Sequence, residues 1–170
     1  MPPPLRETED KDFDVVFDKE DYLSMVQAHD ESAAVLRAHL VLEEFLNVWA
    51  AKITATPDLF AGGFISFKNK LQICQNLGLE FKFCKIAESI NEMRNGYSHR
   101  RKYELQPSKL NAMAAQIDGL PSKTDIGRCK NFEIALAGTS PDGQPQTWEY
   151  TWATADSKIK VVLIFILLSI

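Results

Sequence analysis

The stretch DESAAVLRAHLVLEEFLNVWAAKI, residues 30–53, decides the fold of this chain. Its large apolar side chains recur at spacings of seven, four and three residues: Val35, Leu42, Leu46, Trp49 and Ile53. Because an α-helix turns once in about 3.6 residues, these positions share one helical face. Asp30 or Ser32 can cap the start, and Pro57 lies just beyond the end. The sequence therefore predicts its longest helix here, with one face in the core.

Four shorter helices are predicted around this one from the same periodicity. The first follows Asp18 as a cap and runs to about residue 28. The second starts at Ser66 and ends at Gly78, a typical C-terminal glycine. The third runs from about residue 80 to residue 94, and the fourth from about residue 107 to residue 117. Short links between such helices favour an antiparallel helical bundle, so the fold class is mainly α.

The apolar period changes from helical to alternating near residue 131. Two alternating segments, 132–136 and 148–152, flank the turn-forming run 139–143, TSPDG. This pattern predicts a β-hairpin over about 131–153, inserted before the last helix. Its apolar row is rich in aromatic residues: Phe132, Ile134, Leu136, Trp148, Tyr150 and Trp152. Such a row either stacks on bases or packs against the helices, and packing is the favoured interpretation.

Nine of the last ten residues, 161–170, are apolar, and Asp156 or Ser157 can cap a helix there. A helix that is apolar nearly all round is either central to a core or shared with a second subunit. A membrane-spanning helix needs about twenty apolar residues. A membrane role is therefore not expected unless the chain continues past Ile170.

The 170 residues are predicted to form a flexible acidic arm, 1–17, and one helical domain, 18–170. Phe13, Val15, Val16 and Phe17 are expected to hold the end of the arm against the domain. Residues 1–31 carry ten acidic and three basic side chains, which leaves a net charge of +3 on the rest. The acidic opening is unlike a signal peptide, and the three cysteines have no paired spacing, so a cytoplasmic protein with neither metal nor cofactor is expected.

The stretch with the clearest chemistry is NEMRNGYSHRR, residues 91–101. Arg94 can neutralise a phosphate, and His99 can exchange a proton near neutral pH. Five helical steps place these two side chains about 140° apart on a continuous helix. They converge only if the helix breaks at Asn95–Gly96 or if two copies meet across a dimer axis. The alternative interpretation is a helix end whose basic residues complement the helix dipole.

The motif Arg94-Asn95-x-Tyr97-Ser98-His99 resembles the signature of the HEPN superfamily, and the preceding segment 67–79 resembles the helix before that signature. The resemblance covers roughly residues 30–117. It implies a homodimeric, metal-independent endoribonuclease, either a toxin or an anti-phage defence effector. Arg94, His99 and Asn95 would be the catalytic group, and Arg100, Arg101 and Lys102 would bind flanking RNA phosphates.

The resemblance also implies possible supporting residues for the catalytic group: Glu43, Glu44, Tyr97 and Ser98. His39, on the apolar stripe, is expected to be a buried ring bonded to a neighbour; the competing reading makes it a site member with Glu43. One departure from the family is clear. Some HEPN toxins carry a tyrosine two residues after the histidine, where this chain has Arg101 and places Tyr103 further on. Neutralisation by an antitoxin partner of that type is therefore doubtful.

A second class of function is compatible with the same residues. The chain would then be a non-catalytic dimeric module that binds a partner protein or nucleic acid, because many HEPN-like proteins lack activity. Cleavage of RNA in the presence of a chelator separates the two classes.

Overall fold

The computed structural model describes residue 13 and residues 16–120 and 128–169. Over these residues the chain is mainly helical, with a two-stranded hairpin before the last helix, as predicted. The elements in order are α1 (Lys19–Val26), α2 (Glu31–Thr54), α3 (Phe67–Asn76), α4 (Phe81–His99), α5 (Pro107–Ile117), a short 3-10 helix (Cys129–Asn131), β1 (Glu133–Thr139), β2 (Pro145–Thr151) and α6 (Ser157–Leu168).

Local capping chemistry sets most of the helix starts. Asp18, Asp30, Ser66 and Asp156 each accept a backbone N–H of the following turn, which confirms the predicted caps. Gly78, with φ +107°, follows α3 and allows the chain to reverse, as expected of a C-terminal glycine.

Helix α6 lies at the centre of the core. Ile159, Leu168 and every residue from 161 to 165 are buried, and the helix packs against α1, α2 and α5. Of the two predicted roles for this helix, burial within the core is confirmed. Among the described residues, no helix is both long and apolar enough to cross a membrane.

The hairpin packs on the helices mainly through its inner end. Its strands pair antiparallel, with Glu133 opposite Thr151, and Gly143 takes φ +83° in the turn. Ile134 and Tyr150 pack on the core. Just after β2, Trp152 is buried and donates its indole N–H to Asn111 Oδ1 at 3.3 Å. At this end of the hairpin, the aromatic row packs against the helices, as the favoured interpretation predicts.

The end of the acidic arm contacts the helices, as predicted. The ring of Phe13 lies 5.0 Å from that of Phe45, Phe17 lies 5.6 Å from the same ring, and Val16 is buried. Val15 and the rest of the arm, residues 1–12 and 14, lie outside the described residues.

The predicted helix break at Asn95–Gly96 is wrong. Helix α4 continues through both residues and ends at His99. Gly96 is buried inside the helix, and the ring of Tyr103 packs directly against it. The glycine therefore serves a close contact between side chain and backbone, and it does not end the helix.

Candidate functional site

Arg94 and His99 lie on different faces of one unbroken helix. Along a continuous helix their side chains diverge by about 140°, so a single copy does not bring them together by bending. The first of the two predicted routes to convergence is therefore absent, and only the meeting of two copies remains. The positions of the other motif residues follow from this geometry.

Arg94 is half-buried on α4, and its charge acts on the His39 ring of α2. Its Nη1 donates to Asn95 Oδ1 at 3.0 Å. Its Nε is buried and has no hydrogen-bond partner among the residues that the structure describes. The guanidinium thus reaches along the helix toward Asn95 while its inner nitrogen is left unsatisfied, which is unfavourable for a buried donor.

An open groove of about 370 Å³ lies along the C-terminal end of α4. Asn95, His99 and Arg100 line it together. His99 is exposed, and Asn95 is the residue that connects the groove to the Arg94 guanidinium. The groove therefore presents an imidazole and a cation to solvent, with a second cation bonded to the amide in its wall.

The basic run after the helix is solvent-exposed. Arg100 caps α4 by donating its N–H to Gly96 O at 3.0 Å, and its guanidinium lies 5.9 Å from the centre of the Tyr103 ring. Arg101 and Lys102 are exposed beside it, but neither lines the groove. The three residues predicted to bind phosphates are thus available at the surface, with Arg100 nearest to His99.

Tyr97 and Ser98 have structural contacts. Tyr97 packs edge-on against Tyr103, with ring centres 4.8 Å apart. Burial and the nearby Glu31 carboxylate raise the pKa of Tyr97, whose hydroxyl is buried. Ser98 is exposed and donates to the Arg94 carbonyl oxygen at 3.0 Å. Tyr97 therefore packs the end of α4 and does not face the groove.

The two glutamates proposed as support lie elsewhere. Glu43 accepts from Lys70 Nζ at 2.8 Å, and Glu44 lines a separate groove beside the link between α2 and α3. Neither lines the groove at His99. Both lie on α2, as predicted; Glu43 bonds α3 through Lys70, and its charge also acts on the His39 ring beside it.

His39 is the buried, bonded ring that the sequence favoured. It is 5% exposed, its Nε2 pairs with Asn91 Oδ1 at 3.1 Å, and its ring lies 4.4 Å from that of Phe67. Burial lowers the pKa of His39, and the Arg94 charge adds to this effect; the Asn91 bond and Glu43 oppose it. A neutral, packed His39 belongs to the core between α2 and α4.

Four groove residues were not predicted as site residues: Glu92, Gly96, Tyr103 and Lys109. Lys109 Nζ bonds Glu92 Oε2 at 2.9 Å and so joins α5 to α4 at the rim. The spacing 92, 95, 99 places Glu92 on the same helical face as Asn95 and His99, and this signal could have identified it. Lys109 and Tyr103 reach the groove through tertiary packing, which leaves no local pattern.

The three cysteines are buried free thiols and offer no nucleophile. Burial raises the pKa of Cys84 to about 11 and that of Cys74 to about 12. A thiol becomes reactive when its pKa is lowered, so these side chains behave as core residues. Within the described ranges, no cluster of three or more histidine, cysteine or acidic side chains could hold a metal ion.

Comparisons with known proteins do not assign the chain to a family. No family model matches the chain, no curated protein matches it, and no solved structure matches it.

Proposed function

We propose that this chain is a HEPN-type, metal-independent endoribonuclease that acts as a homodimer, as a toxin or a defence effector. The observation that carries the proposal is the groove at the end of α4, where His99, Asn95 and Arg100 face the same solvent-accessible space. The Arg94-x4-His99 spacing and the Arg94–Asn95 bond support it. RNA is the substrate that this pair of side chains fits, because ribose carries its own nucleophile beside each phosphate.

In the proposed reaction, His99 takes the proton from a ribose 2′-hydroxyl. The 2′-oxygen then attacks the adjacent phosphorus, and the bond from phosphorus to the 5′-oxygen breaks. The departing 5′-oxygen takes a proton from water, which leaves a 2′,3′-cyclic phosphate and a 5′-hydroxyl. An arginine stabilises the charge that grows on the phosphate oxygens.

The unbroken helix favours a two-fold arrangement for this chemistry. Because Arg94 and His99 diverge on one copy, the arginine that meets His99 would come from a second copy whose α4 end faces the same groove. Asn95 would hold the arginine side chain in place. Arg100, Arg101 and Lys102 would bind flanking phosphates, with Arg100 closest.

The test is cleavage of single-stranded RNA by the full chain in a chelating buffer. Wild-type protein should generate cyclic-phosphate ends, and His99→Ala and Arg94→Lys should each reduce the rate by at least about 100-fold. His29→Ala is the matched control, since His29 is an exposed histidine distant in sequence from the motif and should retain full activity. Thermal melting of each variant establishes that it is folded.

Equal cleavage by all four proteins would trace the activity to a contaminant and overturn the proposal. Absence of cleavage by folded wild-type dimer on a random-sequence RNA pool would do the same.

A second candidate function, the non-catalytic dimeric module, is favoured by a separate observation. Leu36 and Leu40, one turn apart on α2, are 46% and 51% exposed. Two adjacent exposed leucines on one helical face offer an apolar contact for another protein. A dimer that binds RNA or a partner protein without cleaving RNA would support this candidate.

A further inference from the structure

We propose that the groove between α2, the 55–66 link and α3 binds a free α-amino acid with an apolar side chain. This groove is separate from the one at His99, and the inference does not depend on ribonuclease activity. It has a volume of about 370 Å³, within the range of about 300–1,000 Å³ typical of small-molecule sites. Its walls combine a half-buried cation, hydrogen-bond acceptors and an apolar surface.

The cation is Lys70, whose side chain is only 12% exposed. Its Nζ donates to Glu43 Oε1 at 2.8 Å and lies 5.7 Å from the centre of the Phe60 ring. An ammonium group has three N–H donors. No second acceptor for Lys70 is present among the described residues, so donors remain for an incoming carboxylate.

The same groove also offers hydrogen-bond acceptors, from Glu44, Asn47 and Asp58. Glu44 Oε2 accepts from Asn47 Nδ2 at 3.3 Å, which fixes the orientation of the amide. Asn47 Oδ1 is then left buried without a donor. Glu44 and Asp58 are exposed carboxylates that line the groove. Together with the buried Asn47 oxygen, these carboxylates suit a ligand that donates hydrogen bonds and carries positive charge.

The remaining wall is apolar, formed chiefly by Val48, Ala51, Leu59 and Phe60. A ligand that satisfies the whole groove therefore carries a carboxylate, an ammonium group and a hydrocarbon portion within a small volume. A free α-amino acid has both charged groups on one carbon atom. An amine alone would leave the Lys70 donors unused, and a carboxylic acid alone would place its charge beside Glu44 and Asp58.

The test is calorimetric titration of the full chain with L-leucine and L-phenylalanine. Two half-ligands accompany L-leucine: 3-methylbutylamine, which lacks the carboxylate, and 4-methylpentanoate, which lacks the ammonium group. At least one amino acid should bind, and each half-ligand should bind at least about tenfold more weakly than L-leucine or not at all. No binding of either amino acid, or equal binding of L-leucine and 3-methylbutylamine, would overturn the proposal.

Variants locate the site. Lys70→Met should weaken amino-acid binding at least about tenfold, while Lys68→Met, an exposed lysine on the same helix, should leave it unchanged. Asp58→Asn changes an exposed residue in the link and keeps the proposal testable if Lys70→Met does not fold. Undiminished binding to a folded Asp58→Asn/Glu44→Gln variant would place the ligand elsewhere.

Discussion

The ring of Tyr103 lies against the backbone of Gly96, so that a Cβ added at Gly96 would come 2.5 Å from Tyr103 Cε2. This contact explains why a glycine occupies the interior of α4, where glycine ordinarily costs about 1 kcal/mol relative to alanine. The same contact holds the segment after α4 against the helix. Tyr103 follows His99 by four residues, and both residues line the same groove.

Gly96→Ala is therefore expected to destabilise the protein, although alanine is the better helix former. The methyl group forces the ring to move, a change that typically costs about 1–3 kcal/mol. In a Tyr103→Ala background the sign should reverse, because the ring is gone and only helix propensity remains, a gain of up to about 1 kcal/mol. Denaturant unfolding of the four proteins measures both values. The same sign in both backgrounds would show that the ring is not the cause.

Sequence patterns predicted the helix starts well because a cap is a local interaction. The Asp30 side chain bonds the N–H of Ala33, three residues away, and Asp156 does the same for Ile159. The glycine at 96 was misread because the same residue suits a helix end and a close packing contact. Only the tertiary position of Tyr103 distinguishes the two.

Part of the candidate site was also beyond sequence reasoning. Lys70 and Glu43 are 27 residues apart, and their pairing depends on how α3 rotates against α2. The groove at His99 likewise depends on α5 delivering Lys109. Arg94 and His99 could be identified as motif residues from their spacing in the sequence. The helical face on which each side chain lies became known only once the structure showed that α4 is unbroken.

The ion pair between Lys70 and Glu43 should contribute more to stability than a surface pair does. Lys70 is 12% exposed, so Lys70→Met leaves Glu43 without its partner in a partly desolvated place, at a cost of about 1–3 kcal/mol. Replacing Glu43 by Met as well should recover much of this loss. The control cycle is Lys85–Glu88, an exposed pair at 3.3 Å, where the coupling should be below about 0.5 kcal/mol. Similar coupling energies in the two cycles would contradict the expectation.

His39 should make stability fall in mild acid. Burial lowers its pKa from the ordinary value of 6.5, so the unfolded chain binds the proton more readily than the folded chain does. The stabilisation is complete above that ordinary value and is lost as the pH falls below it. His39→Gln removes the titrating ring and should flatten the change in urea midpoint between about pH 7.5 and pH 5.5. His29→Gln, at an exposed histidine, should keep the wild-type slope. An unchanged slope in His39→Gln would assign the effect to other groups.

If the chain binds RNA as proposed, the exposed bases after α4 should set the salt dependence of that binding. Each phosphate contact that releases a counterion from single-stranded RNA changes the slope of log K against log salt by about 0.7. Arg100→Gln should therefore lower the slope by about 0.7 if Arg100 holds a phosphate, and the Arg100/Arg101/Lys102 triple glutamine variant by up to about 2. The matched control is Lys68→Gln, because Lys68 is an exposed basic residue on α3. Binding titrations with a catalytically impaired His99→Ala background avoid cleavage during the measurement. An equal change of slope for Lys68→Gln and Arg100→Gln would mean that RNA contacts the protein surface diffusely. The groove at His99 would then not be the RNA-binding site.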